Sequence, residues 1–500
     1  MDGSTATLAS APGKVLVAGG YLVLDRAHTG LVVGTDARLY TAVQSQALDV
    51  ADCAEALGAD DVLVVVASPQ FELAWWKYAF NVAADTLTQL ASADSGRNPF
   101  VQEVLQAALA LVNARAPGRL RACLAGAGAP GAPAQRVCLK IVLAADNDFY
   151  SQRAALDRLG LELTAESLRR IPPRAATGTT LGAVHKTGLG SSAAMVTSLV
   201  AAILAHYGIV DGGALCTGSG PRQAASAAEG VQLIHNVAQY VHCVAQGKVG
   251  SGFDVSAAVH GSHVYRRFSP EVLAAAMAGG GGSAALIDAT SPHNPGWDSE
   301  VVPLAIPPRL VLRLADVDAG SSTPSMVRKV LQWQSTAPEQ AARLLASLDA
   351  ANGRIRELWG ALATAHQDNS EAYDCAVDWC AQRASAEWRA GPDHAITAAA
   401  IATCGLLADL AAGTLRMRQL QRELGDRAGV PIEPPEQTRL LDACMAVPGV
   451  CMAAVPGAGG FDAIFCIVLN PAAGDAVERL WSGWTDMSVG PLLAKQASSG

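Results

Sequence analysis

One apolar stretch, Ala193 to Ile203, is broken only by Thr197 and Ser198. Its alanine-rich, all-round apolar character predicts a helix buried on every side, too short for the ~20 residues that cross a bilayer. Elsewhere the period changes. Val137 to Leu143 alternates as a half-buried strand does, and Val62 to Val66 reads as a more buried strand. Val101, Val104, Leu105, Ala108, Leu111 and Val112 share one helical face, and RLVLRL from Arg309 is strand-like. Two segments read as surface loops, one from Ala116 and one, AGGGGS, from Ala278. The second, with the adjoining SPHNPGW, predicts a division between two lobes near residue 290. No repeat of fixed period is present.

Composition sharpens this picture. Half of the 500 residues are hydrophobic and 16% are charged, more than one minimal core requires, which favours two packed lobes. The net charge of −9 argues against a protein that wraps nucleic acid, while leaving room for a basic pocket that takes a small anion. Eleven cysteines without a CxxC pair read as buried free thiols of a reducing compartment. Neither zinc-type Cys/His spacing nor HExxH occurs. MDGSTATLASAPGK at the start and KQASSG at the end carry no simple address signal, so the expectation is a cytoplasmic protein with no membrane attachment.

The chemistry begins where HKTGLGSSA, His185 to Ala193, leads into the apolar helix. A centrally buried helix has a rigidly held N-terminus, where about four N–H groups lack partners and the macrodipole is positive. Gly188 and Gly190 let a phosphate approach the backbone. Ser191 and Ser192 can cap the helix, and one hydroxyl can reach a phosphate-bound metal. Capping alone accounts for these residues equally well. The stretch is not a Walker A loop, because Lys186 precedes the glycines.

GLGSSA resembles the second motif of the GHMP kinases. SAPGKVLVAGGYLVLD, Ser10 to Asp25, resembles their first motif, with its lysine at Lys14, and VPGAGGFDAI, Val455 to Ile464, resembles their third. The GGYxVL variant and the segment AQGKVGSGFDVSAAVHGSHVYRRF, Ala245 to Phe268, are similar to the fungal-type phosphomevalonate kinase branch of that family. Weaker echoes in NPFVQEVL from Asn98, DNDFYSQ from Asp146 and IEPPEQTRLLD from Ile432 extend the resemblance over nearly the whole chain.

The resemblance implies an α+β GHMP kinase fold, with a ribosomal-protein-S5-like N-terminal lobe over 1–290, a ferredoxin-like C-terminal lobe over 291–500, and the site between them. It implies transfer of the ATP γ-phosphoryl to the phosphate of (R)-5-phosphomevalonate with Mg2+, acting on small molecules and with no obligatory protein partner. Lys14 then stabilises the transferring phosphoryl and Asp254 orients it. ATP falls to Lys186, Gly188, Leu189, Gly190, Ser191, Ser192 and Ala193. The acceptor falls to Tyr21, Ser251, Gly252 and a second anion-ready helix start, Ser321, Ser322 and Thr323 before Pro324. Magnesium falls to Ser192 and Gln246.

One departure concerns the metal. Mevalonate kinase has a glutamate upstream of the aspartate matching Asp254, and ungapped comparison puts Cys243 there. His242 and Gln246 share a helical face at i, i+4, whereas His235 and His242 on an apolar stretch read as satisfied core histidines. Arg266, Arg267 and Lys248 are further phosphate-contact candidates. Because a phosphate acceptor arrives ionised, little demand for a general base falls on Asp254. Another GHMP kinase, such as mevalonate kinase, and a non-catalytic nucleotide sensor remain open alternatives.

Overall fold

The computed structural model describes residues 6–48, 57–90, 96–125, 136–211, 225–279, 282–317, 323–390 and 397–497. Its N-terminal lobe is built on β1, Thr7–Ala18, paired antiparallel with the long β2, Gly30–Ala47. β3, Asp61–Ala67, β4, Trp75–Asn81, and β5, Thr86–Gln89, form a meander that joins β6, Val137–Ala145. β7, His263–Arg266, and β8, Glu300–Pro303, complete an eight-stranded sheet ordered β5-β4-β3-β6-β2-β7-β8, with β1 on the other flank of β2. The β3 and β6 strands anticipated from alternation and from a valine run are therefore neighbours, paired in parallel.

The helix Ser191–His206 lies against β1 and β2, with helices Pro99–Arg115, Ala225–Gln246 and Phe253–His260 around it. That encirclement explains its lack of a polar face. Leu199, Val200, Ala202, Ile203 and Leu204 are all buried. A hydroxyl bond between Ser198 Oγ and Thr41 Oγ1 at 2.8 Å ties it to β2 and spares both groups the cost of burial without a partner.

The division expected near residue 290 falls inside the N-terminal lobe, since β8 pairs with β7 as far as Pro303. Strand pairing, which the glycine cluster could not reveal, moves the changeover to the segment between Pro303 and Val311. The segment from Ala116, expected to be loop, opens with a helix, Pro117–Ala125, that buries Leu120; residues 126–135 lie outside the described residues. Residues 280–281 of AGGGGS also lie outside them, and Gly282–Thr290 is helical.

The C-terminal lobe has a four-stranded antiparallel sheet made of β9, Val311–Val317, β10, Val450–Ala454, β11, Ala463–Val468, and β12, Val489–Leu492. Its order β10-β11-β9-β12, with helix Pro471–Ser482 in the second crossover, is the ferredoxin-like arrangement. The first crossover is expanded into a helical array that includes Thr323–Thr336, Pro338–Asp368, Ser370–Ala381, Ala398–Ala428 and Pro435–Met445. Ala398–Ala428 is long and apolar enough to cross a membrane by length and composition, yet it packs against Pro338–Asp368, Ser370–Ala381 and β10.

The lobes are joined at several points. Asp316 on β9 meets Arg153 at 3.3 Å and His185 at 3.2 Å. After β12 the chain returns to the N-terminal lobe, where Lys495 N donates to Asp36 Oδ1 and Ala497 N to Gly34 O. The cysteines among the described residues form no disulfide, in keeping with the free-thiol expectation.

Candidate active site

Between the lobes opens a cleft of about 1000 Å³, lined by all three glycine-rich motifs. On one wall Gly190, at φ 81°, begins the helix Ser191–His206 with no side-chain cap. The expectation that Ser191 or Ser192 caps this helix is corrected: a left-handed glycine occupies the cap position. Ser192 Oγ instead lies 3.1 Å from His242 Nε2. The first-turn N–H groups are thus left to the cleft, as an anion site requires.

The opposite wall repeats the device. Gly252, at φ 76°, begins Phe253–His260, again without a side-chain cap. A Cβ at Gly252 would stand 2.8 Å from Phe268 and from the Gln239 amide, so both the backbone angle and the close approach demand glycine. Gln239 Nε2 donates to Gly252 O at 2.7 Å, and Tyr265 OH donates to Ser251 O at 2.8 Å, which fixes the loop ahead of Asp254.

Lys14 projects between the two walls. Its main-chain N donates to Leu189 O at 3.0 Å and its Nζ to Gly188 O at 2.8 Å. Burial lowers its pKa from the usual lysine value, and the carboxylates of Asp254 and Asp462 act in the opposite sense. Asp462 belongs to the third glycine-rich loop. That loop is fastened to both lobes: Gly457 N donates to Leu16 O, Tyr21 OH to Ala458 O at 2.9 Å, and Gln437 Nε2 to Gly460 O at 3.0 Å. Beneath it the buried Glu433 takes bonds from Arg418 and Arg422.

The structure therefore brings Lys14, Tyr21, Lys186, Gly188, Leu189, Gly190, Ser191, Ser192, Gln246, Lys248, Ser251, Gly252 and Asp254 to one cleft. Ala193 is turned into the core, 1% exposed. Arg266 pairs with Glu300, and Arg267 donates to Leu24 O and Val249 O; both hold loops rather than face the cleft. Ser321 and Ser322 lie outside the described residues, while Thr323 begins the helix Thr323–Thr336, whose Val327, Arg328 and Leu331 line the cleft.

The histidines separate. His235 is a core residue bonded to Asn236 and Gln239, and burial lowers its pKa to about 4. His242 is not a mere core residue, because it touches Ser192, Gln246 and Asp254. Cys243 beside it is buried, and burial pushes its thiol up to about 11. Sequence reasoning also passed over Asp462 and Arg328. Asp462 lay in plain view within the third motif, but its distance from Lys14 is set by tertiary packing.

Residues 406–483 match the family described as GHMP kinases C terminal. The chain is 38% identical to the peroxisomal phosphomevalonate kinase of Arabidopsis thaliana, over 99% of this chain and 95% of the relative. The chain belongs to the phosphomevalonate kinase family. A second member, from Aspergillus fumigatus, is 35% identical over 95% of this chain and 89% of its own. Phosphomevalonate kinase of Streptococcus pneumoniae, solved with phosphomevalonate and AMPPNP, shares the fold at 15% identity and a TM-score of 0.52, covering 98% of this chain and 99% of its own. The Lin0012 protein of Listeria innocua does so at 14% identity and 0.59, covering 99% and 100%.

Proposed function

We propose that the cleft transfers the γ-phosphoryl of ATP to the phosphate of (R)-5-phosphomevalonate, giving 5-diphosphomevalonate and ADP in the mevalonate route to isoprenoids and sterols. Likeness to phosphomevalonate kinases over nearly the whole chain carries the choice of acceptor. The ATP phosphates lie on Gly188–Ser192 and the uncapped helix start. The base enters the adjoining niche, whose walls include Phe71, Trp76, Phe100, Tyr150 and Met195 and which shares Lys186, Ser191 and Ser192 with the cleft.

Both substrates are anions, so the protein's task is placement and charge. Lys14 is held by Gly188 O and flanked by Asp254 and Asp462, whose carboxylates favour its charged form against the pull of burial. It stabilises the charge that develops on the moving phosphoryl. Asp254 orients Lys14, and Lys248 and the segment that ends at Thr323 receive the acceptor.

Oxygen ligands fit magnesium, which binds through one or two protein groups plus substrate phosphates. Ser192 Oγ and Asp254 Oδ2 both lie close to His242 Nε2, and among the described residues no group of three His, Cys, Asp or Glu side chains forms a self-sufficient metal cage. Mg2+ held there with the phosphates would neutralise their charge.

Purified protein offered ATP, Mg2+ and, separately, phosphomevalonate, mevalonate, galactose and homoserine tests the reading. ADP release only with phosphomevalonate is expected; equal turnover of mevalonate would overturn it. The sequence favours a cytoplasmic location, while one relative is named as peroxisomal. Fluorescent fusions at each end of the chain distinguish the two.

A further inference from the structure

Three segments meet on one imidazole. His242 Nε2 lies 3.1 Å from Ser192 Oγ in the phosphate loop and 3.7 Å from Asp254 Oδ2 on the facing helix. One turn along its own helix, Gln246 Nε2 stands 3.2 Å from Nδ1 and 3.0 Å from Nε2. The ring is 5% exposed and tilted against Phe100, with centroids 5.6 Å apart. It has little freedom to turn.

Donor and acceptor identities limit these contacts. The nitrogen of a glutamine amide only donates, and a carboxylate only accepts. The Gln246 amide nitrogen stands within reach of both ring nitrogens, and a serine hydroxyl either donates to Nε2 or accepts from it, so the Ser192 contact is satisfied in either tautomer. A first-turn serine otherwise tends to bond backbone groups of its own helix. Here Ser192 is drawn toward His242 instead, and the helix start has no side-chain cap.

We infer that His242 is a positioning residue for phosphoryl transfer. Its Nε2 holds the Ser192 hydroxyl by a hydrogen bond beside the Asp254 carboxylate, and Gln246 steadies the ring from one turn along the same helix. His242 thereby keeps the phosphate loop open and aims its hydroxyl at the nucleotide phosphates. The inference rests on the kinase reading of the cleft.

A double-mutant cycle on the purified full chain tests it, with His242→Ala, Ser192→Ala and the pair together. Turnover and both Michaelis constants are measured, and ADP binding is followed by calorimetry with and without Mg2+. His242→Ala is expected to lower kcat about tenfold, the scale of one lost charge-assisted hydrogen bond, with the phosphomevalonate KM nearly unchanged. It should also reduce the gain in ADP affinity that Mg2+ confers, as Ser192→Ala does. The double variant should be no worse than Ser192→Ala within about twofold, because the two residues act in series.

Losses that multiply in the double variant would overturn the inference, as would a rise in the phosphomevalonate KM that matches the fall in kcat. His242→Gln, with its melting temperature, covers the case in which alanine unfolds the protein; it should melt near wild type and show the same kcat-only loss. If the wild type itself makes no ADP with phosphomevalonate, the kinase reading fails. The ADP-binding arm would still report whether His242 acts through Ser192.

Discussion

The helices Ser191–His206 and Phe253–His260 start alike and differ in the charge of their first turns. Each begins after a glycine in the left-handed region, with no side-chain cap, on the same cleft. The first has no acidic residue in its first turn; the second places Asp254 there. A helix start attracts negative charge. The first is therefore free for a ligand's phosphates, whereas the second is already occupied by a carboxylate of its own chain. Lys14 stands between them, bonded to Gly188 O and influenced by Asp254. The contrast teaches that one backbone device can serve two ends: in the proposed reaction one start receives the nucleotide, and the other holds in place the group that orients the cation.

The strongest way to break this contrast is to remove what lies between. Lys14→Met should cut turnover at least ~100-fold with a smaller effect on ATP binding, the pattern of a contact made in the transition state. Near-normal turnover in a steady-state assay would take Lys14 out of the mechanism. Asp254→Asn keeps the shape of the second start and removes its charge. A general base removed from an alcohol acceptor costs about 10²–10⁴-fold; here the expected loss is at the low end. The acidic limb of the pH profile should persist, since it reflects the substrate phosphate with its second pKa of about 6. Loss of that limb would point to a carboxylate base.

Thr323 opens a third helix start, and Thr323→Ala should raise the phosphomevalonate KM roughly tenfold or more, the scale of one hydrogen bond to a charged group, with little change for ATP. Equal weakening of both substrates would signal a packing defect. Gly252→Ala should lower stability by about 1–2 kcal/mol from the left-handed backbone alone, with more from the contacts at 2.8 Å to Phe268 and Gln239. Thermal melting measures it. The smallest effect is expected from Asp462→Asn. Asp462 raises the Lys14 pKa against the pull of burial, so its removal lowers that pKa and the cation is lost at lower pH. The alkaline limb of kcat/KM should shift toward neutrality while the acidic limb stays in place.

The local parts of this cleft were legible in the sequence: the lysine in PGK, the glycines of GLGSS and the aspartate of GSGFD all reach it. The caps were misjudged, because serine at a helix start is ordinary capping chemistry and only the backbone angle at Gly190 shows that glycine holds that place. His242 looked like a core histidine, and it is buried. Its importance arises from Ser192 and Asp254, which approach it from distant parts of the chain. The lobe boundary failed for a similar reason: a glycine cluster is conspicuous, but the pairing of β8 with β7 is a long-range event with no local mark. Periodicity fared better, since β3, β6 and the helix Pro99–Arg115 depend on their own residues facing one core.

The return of the chain after β12 has a consequence for biosynthesis. Lys495 and Asp36 are 459 positions apart, and Gly34, which accepts from Ala497, is the cross-strand partner of Lys14. During translation the N-terminal sheet can assemble early, as leading domains do while the ribosome adds about 5–20 residues per second. The clamp on β2 beside Lys14 cannot close until Lys495–Ala497 has left the ribosome, and a contact of such long separation is slow to form. Until then β2 is unclamped beside the lysine, so this part of the cleft wall waits on the segment that follows β12.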